Sequence, residues 1–369
     1  MSHIESSAQV RPAKCQLPVS WYFDPEVFAR EKKLLFDAGS NYAGHEVSVP
    51  ELGDYQTLAW MDHAKVLIRN ADGVELLSNV CRHRQALLLE GRGKLDKIVC
   101  PLHRWTYDLK GELLGAPRFS ENPCVKLRST PLTNWNGLLF AGPRDPRRDL
   151  AAMTTGADFD FSGYLLERVD INDYACNWKT FVEVYLEVYH VDYLHAGLGN
   201  FADCDNSHAD YGEHYSVQVV PARKGLTQPG TPVYRKWQEA CLRQLRGKTP
   251  KYGALWASYF PGLTFEWYPN VLIVSNLIPR SPELTTNIVE FYYPEEIAHF
   301  EREFVEAQQT AYAETALEDD AICRRLDRGR RALWRQGLDD AGPYQSPMED
   351  TMVHFHEWLR TALKPTSAG

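Results

Sequence analysis

Four side chains between residues 81 and 103 have the types and spacing of metal ligands. The stretch NVCRHRQALLLEGRGKLDKIVCPLHRW sets Cys81 two residues before His83 and Cys100 three before His103, with residues 84–99 between the pairs. Two thiolates and two imidazoles suit an iron–sulfur cluster in which cysteines hold one iron and histidines the other. They suit a tetrahedral zinc ion too. A zinc finger groups its cysteines and carries its histidines on a helix. Here the two types alternate within strand-like sequence, which favours the cluster. A second constellation lies in NWKTFVEVYLEVYHVDYLHAG, residues 177–197. On a helix Glu183 and Glu187 share a face and His190 follows Glu187 at i+3. His195 then lies roughly 140° round from His190. The two imidazoles meet one ion only if the helix ends or distorts near Val191–Leu194, and Gly197 and Gly199 suit an ending there. Two histidines and one carboxylate make the facial triad of non-haem iron, which leaves positions open for O2.

These groups need scaffolds of two kinds. From about 43 to 142 the chain reads as short strands (KVLIRN, VELLSNV, KIVC, WTYDL, GLLFAG), with turn signals such as Asp72-Gly73 and Lys110-Gly111 between them. Gly91 and Gly93 help the chain turn between the two ligand pairs. Before this region Asp24 and Pro25 read as a cap and first turn. After it, GPRDPRRD at 142–149 reads as a linker. Residues 177–194 read as helix, 255–293 as sheet, 295–336 as one long amphipathic helix, and HFHEWLRTAL as a last one. The expected fold is α+β, with three parts: a leader and helix over 1–42, a small all-β domain over 43–145, and a larger α+β domain over 150–369 with an antiparallel sheet and flanking helices.

The run C-x-H-x16-C-x2-H, followed by Arg104-Trp105 and Tyr107-Asp108, resembles the Rieske [2Fe–2S] domain of ring-hydroxylating oxygenases. Respiratory Rieske proteins carry an extra cysteine after each half. Ala86 and Leu102 stand at those places, and the site resembles the lower-potential oxygenase type. The catalytic segment is similar as well, opening with Asn177-Trp178-Lys179. By that resemblance His190 and His195 are mononuclear iron ligands. Glu187 takes the bridging place toward a cluster histidine of a neighbouring subunit, where most of the family has Asp. Glu187 and Asn177 are the expected catalytic residues. Family members place the ligand Asp after a Glu, with an aliphatic residue three further on. In TALEDDAICRRLDRG that is Asp319, before Ile322, with Asp320 as runner-up.

The resemblance implies a terminal oxygenase alpha subunit with a START/Bet v1-like helix-grip catalytic domain. It would hydroxylate a small substrate, an aromatic ring compound, with O2. Electrons would come from NAD(P)H through a separate reductase and a possible ferredoxin, in a homotrimer or a multiple of one. The Glu at 187 and the EDDAIC segment also resemble the choline- and carnitine-type branch, which makes a quaternary ammonium compound the alternative substrate. Trp256, Tyr259, Phe260, Phe265, Trp267 and Tyr268 would then form a cation–π cage, or simply sheet core. A non-catalytic Rieske electron carrier and a zinc-stabilised binding module are the competing classes.

Composition narrows the rest. The 369 residues carry a net charge of −9, which argues against nucleic acid or an anionic membrane as partner. The amino end has no apolar signal region and no stretch reaches the length of a membrane span, so a cytoplasmic protein is expected. Eight cysteines are too sparse for a disulfide scaffold. No G-x-G-x-x-G follows a strand, hence the expectation of an external reductase.

Overall fold

A computed structural model describes residues 15–364, so most of the expected leader lies outside the described residues. The chain divides into two units: one holds Asp37–Ala151 and Asp160–Leu166, the other the residues up to Phe36, Ala152–Phe159 and those from Glu167 onward.

The first unit is built from strands, with only short helical segments between them. Five strands pair in the order Arg92–Lys94, Asp54–Thr57, Lys65–Asn70, Gly73–Ser78, Ser129–Thr130. A second sheet joins Asn41–His45, Leu138–Ala141 and Thr133–Trp135. A third, of Ile98–Val99, Thr106–Tyr107 and Leu113–Gly115, carries the second ligand pair in its first turn. Apolar alternation places Val66, Ile68 and Leu77 inward, where they pack with Cys81, Cys100, Trp105 and Tyr107 in one core. Gly91 takes the left-handed conformation at φ +62°, whereas Gly93 lies within a strand. The stretch read as a linker forms a short helix, Pro146–Asp149, whose cap Asp145 accepts the Arg147 N–H.

The second unit is built on seven strands, ordered Tyr164–Tyr174 (which belongs to it from Glu167 on), Leu284–Pro294, Val271–Ser281, Leu263–Tyr268, Ala254–Tyr259, Tyr215–Val220, His208–Tyr211. The pairs from Leu284–Pro294 to His208–Tyr211 are all antiparallel. Helices Trp178–Leu186 and Pro232–Gln244 each pack on Arg302–Arg335, and Asp350–Ala362 closes against the first of them. Asp24 caps the Pro25–Glu31 helix as expected, accepting from Glu26 N–H at 2.8 Å. The long helix is divided: Glu295–Phe300 ends at Glu301, and Arg302–Arg335 runs on from there.

The expected helix over 177–194 is also shorter. It ends at Leu186; Glu187 is extended at φ −105°, ψ 140°, and Val191–Leu194 makes one further turn. The cause is a contact from far along the chain. The Leu186 carbonyl accepts from Thr351 Oγ1, and the Val188 N–H donates to the Met348 carbonyl at 3.2 Å. Groups that would have continued the helix are thereby spent elsewhere. The break lies ahead of His190, not behind it.

Behind the Trp178–Leu186 helix lies a set of buried charges. Lys179 Nζ and Trp178 Nε1 both donate to Glu31, at 2.7 and 2.8 Å. Glu183 accepts from Arg330 at 2.7 Å, pairs with His356 Nε2 at 3.0 Å and accepts from the Tyr22 hydroxyl. Burial works against a charged Glu183, but Arg330, His356 and Tyr22 hold its carboxyl down at about 2.

Candidate metal centres and the cavity beside the second

The two ligand-bearing loops of the first unit have the same backbone. In one, Cys81 N–H bonds the Ala86 carbonyl at 2.9 Å and Gln85 N–H the Cys81 carbonyl at 3.1 Å. In the other, Cys100 N–H bonds the Trp105 carbonyl at 2.8 Å and Arg104 N–H the Cys100 carbonyl at 3.1 Å. Gln85 and Arg104, each four residues past its cysteine, are left-handed at φ 56° and 60°. The paired loops bury both cysteines and bring the His83 and His103 rings to 4.7 Å. Trp105 stacks on His83 at 4.9 Å. Tyr107 Oη lies 3.4 Å from Cys81 Sγ and accepts the Arg82 N–H at 3.1 Å.

These residues fit a two-iron cluster. His83 Nδ1 is buried and has no hydrogen-bond partner, as expected of an atom that binds metal. Among the described residues, the group of three or more metal-type side chains that closes to within 4.8 Å is a different one, His190, His195 and Asp319. Two buried thiols and two imidazoles, presented by a matched pair of loops, suit a centre that shares them between two irons.

At that other group His190 Nε2 and His195 Nε2 are 3.1 Å apart, and Asp319 Oδ1 is 3.0 Å from the second and 3.6 Å from the first. Ligands at right angles around an ion bound at about 2.1 Å lie about 3.0 Å from one another, a length that two of the three separations have, so these residues would suit one shared ion. The opposite ring atoms fix this arrangement. His190 Nδ1 pairs with Glu187 Oε1, while Glu187 Oε2 accepts the His190 N–H at 2.9 Å. His195 Nδ1 pairs with Glu318 Oε2 at 2.6 Å. With each Nδ1–H held by a carboxylate, each Nε2 lone pair is free for a cation. Burial pulls the imidazoles toward neutrality, yet Asp319 with Glu187 lifts His190 to about 9, and Asp319 with Glu318 lifts His195. Burial likewise opposes the Asp319 charge, and the two histidines hold its carboxyl below the usual range. So much negative charge around two imidazoles calls for a cation.

The triad forms part of the wall of a cavity in the second unit. Around it stand Tyr234, Trp237, Trp256, Tyr268 and Tyr312, with Glu187 and Glu266. Two of the six aromatics expected in a cage, Trp256 and Tyr268, line it; Tyr259, Phe260, Phe265 and Trp267 do not. Asn177 is not part of that wall either. It caps the Trp178–Leu186 helix by accepting Lys179 N–H, and its Nδ2 donates to the Tyr22 and Pro282 carbonyls. Asp320 pairs with Arg324 and makes no contact with the histidines. Glu266 and the Glu318 contact were not foreseen. The signal for Glu266 was available: it is the one charged residue in the strand LTFEWY.

Comparison with known proteins gives the family of each region. The ring hydroxylating alpha subunit (catalytic domain) family matches residues 159–365, and the Rieske [2Fe-2S] domain family matches residues 41–131. The chain is 58% identical to putrescine 2-hydroxylase of Ralstonia nicotianae, over 98% of this chain and 100% of that protein. It is 52% identical to putrescine 2-hydroxylase of Bordetella bronchiseptica, over 99% and 89%. The crystal structure of the quaternary ammonium Rieske monooxygenase CntA superposes with a TM-score of 0.77 at 20% identity, covering 94% of this chain and 95% of that one.

Proposed function

This chain belongs to the Rieske ring-hydroxylating alpha-subunit family, and from that premise we propose that it hydroxylates a short aliphatic diamine of the putrescine type. As a member it is a terminal oxygenase, an oxidoreductase with a [2Fe–2S] cluster and a mononuclear iron. In this reading Cys81, His83, Cys100 and His103 hold the cluster, and His190, His195 and Asp319 hold the iron. The iron supplies O2 activation and the cluster single electrons. Overall, one C–H bond, O2, two electrons and two protons become one alcohol and one water.

The observation that carries the substrate is the charge of the cavity. Its wall includes the carboxylates Glu187, Glu266 and Asp319 and, among the described residues, no Lys or Arg. An aromatic acid would meet repulsion there and a neutral ring no specific partner, whereas an ammonium group is attracted by both the acids and the aromatic faces. The identity to two putrescine 2-hydroxylases supports the same class. A quaternary ammonium would use the rings but has no N–H to donate to a carboxylate. The residues then act by position. Glu187 and Glu318 hold the two imidazoles in one tautomer, and Trp237, Trp256 and Tyr268 exclude water around the alkyl chain.

Electrons reach the chain from a separate reductase, with or without a ferredoxin. Glu187 serves at a junction between copies in a trimer or a multiple of one. The test is O2 uptake with product analysis, using a surrogate reductase and NADH, on putrescine, choline and benzoate in parallel. Putrescine should give a hydroxylated diamine with matching O2 consumption. Coupled product from benzoate or choline alone would remove the diamine reading.

A further inference from the structure

Of the three carboxylates in the cavity, two are already committed. Glu187 bonds His190 through both oxygens, and Asp319 faces the two Nε2 atoms. Glu266 is different. It lies on the strand Leu263–Tyr268, where Thr264, Glu266 and Tyr268 alternate onto the cavity side. The residue is buried, 5% exposed overall, and Tyr268 Oη donates to its Oε2 at 2.8 Å. Tyr268 Oη in turn accepts the Trp256 Nε1–H at 2.8 Å, from the residue paired with Glu266 in the next strand. The chain from indole to phenol to carboxylate fixes the orientation of Glu266 and leaves Oε1 for a ligand.

Resting on the diamine reading above, we propose that Glu266 is the anchor for the substrate ammonium remote from the iron, and that the anchored end measures which carbon faces the triad. An acid held at this depth by one neutral donor is costly unless a cation joins it. Burial, and after it the Asp319 charge, push the Glu266 carboxyl up toward neutrality, against the help of Tyr268. Tyr185 and Tyr312 also face it and bring no positive charge. An ammonium supplies that charge with N–H donors suited to Oε1. With one end fixed there, hydroxylation next to the free aminomethyl group falls on the third carbon from the anchored nitrogen of a four-carbon diamine. A chain one methylene longer or shorter brings a different carbon to the triad.

The ruler is tested on the iron- and cluster-replete enzyme with a series of α,ω-diamines of three to five carbons, n-butylamine, and the variants Glu266→Gln and Glu266→Asp. Wild type should prefer the four-carbon diamine and hydroxylate n-butylamine at its third carbon. Glu266→Gln keeps the shape and removes the charge. It should raise the putrescine KM, and the anaerobic Kd by calorimetry, on the order of 100-fold, with iron content and the cluster spectrum unchanged. Glu266→Asp retracts the carboxylate by about one methylene, and should move the preference to the five-carbon diamine. Unchanged affinity in Glu266→Gln, or an unshifted length preference in a folded Glu266→Asp protein that still binds diamines, overturns the anchor. Wild type that turns over no diamine overturns the reading beneath it instead.

Discussion

Replacing Glu318 with Gln measures how much iron affinity arises behind the ligands. Glu318 Oε2 lies 2.6 Å from His195 Nδ1. Gln keeps the length and still offers a carbonyl oxygen to the Nδ1–H, so the change removes charge and leaves shape. Loss of a carboxylate behind a ligand histidine costs roughly 10- to 100-fold in metal affinity, about 1.4–2.7 kcal/mol. Solvent decides where in that range each acid falls. The Glu318 side chain is 34% exposed and the Glu187 side chain 14%. Screening weakens the more exposed charge. We therefore expect about 10-fold for Glu318→Gln and a loss nearer 100-fold for Glu187→Gln. The assay is anaerobic competition against a chromogenic Fe(II) chelator, with cluster absorbance as internal standard for folded protein. Wild-type iron affinity in Glu318→Gln, or a larger loss there than in Glu187→Gln, refutes the reasoning.

Three further outcomes follow from the same structure. Burial raises the Glu266 carboxyl to about 7, and only its ionised form pairs with an ammonium. In the free enzyme kcat/KM for putrescine should therefore climb as pH rises through about 7 and lose that limb in Glu266→Gln. Arg330→Met strands the buried Glu183 charge and should cost about 3–5 kcal/mol in urea denaturation. The Glu183 carboxyl drops from 4.5 to about 2 on folding, so its stabilisation is whole above 4.5 and drains away as pH falls toward about 2, and Arg330→Met should flatten that acid limb. Tyr107→Phe removes the hydroxyl 3.4 Å from Cys81 Sγ and should lower the cluster potential in an EPR-monitored titration, because a donor to a ligand sulfur favours the reduced state.

What could be read from the sequence was the chemistry that depends on residue type and short spacing. The Cys81/His83 and Cys100/His103 pairs lie within single loops, so each pair's geometry is local. Asp319 was distinguishable from Asp320 only by resemblance. On the helix the two adjacent acids point about 100° apart, and one meets the histidines while the other pairs with Arg324. The early end of the 178–186 helix was hidden, because VEVYLEVYHV keeps an apolar pattern through the break. What ends it is backbone and side-chain bonding from Met348 and Thr351, more than 150 residues away. The cavity was hidden for the same reason, since its walls come from four strands, three longer helices and the short helical turns at Val191 and Leu198. Asn177 was read as catalytic because it opens the motif, but its amide is spent on capping and on two carbonyls.

Oxygenation by this chain requires one electron-carrying centre and one separate iron. Iron, zinc and acid-labile sulfide measured together on anaerobically purified wild type and Asp319→Ala test that directly. Wild type should hold about three irons and two sulfides per chain. Asp319→Ala should hold about two irons with all its sulfide and its red-brown colour. Zinc in place of iron, absent sulfide, or an Asp319→Ala protein with its full iron and turnover would contradict it.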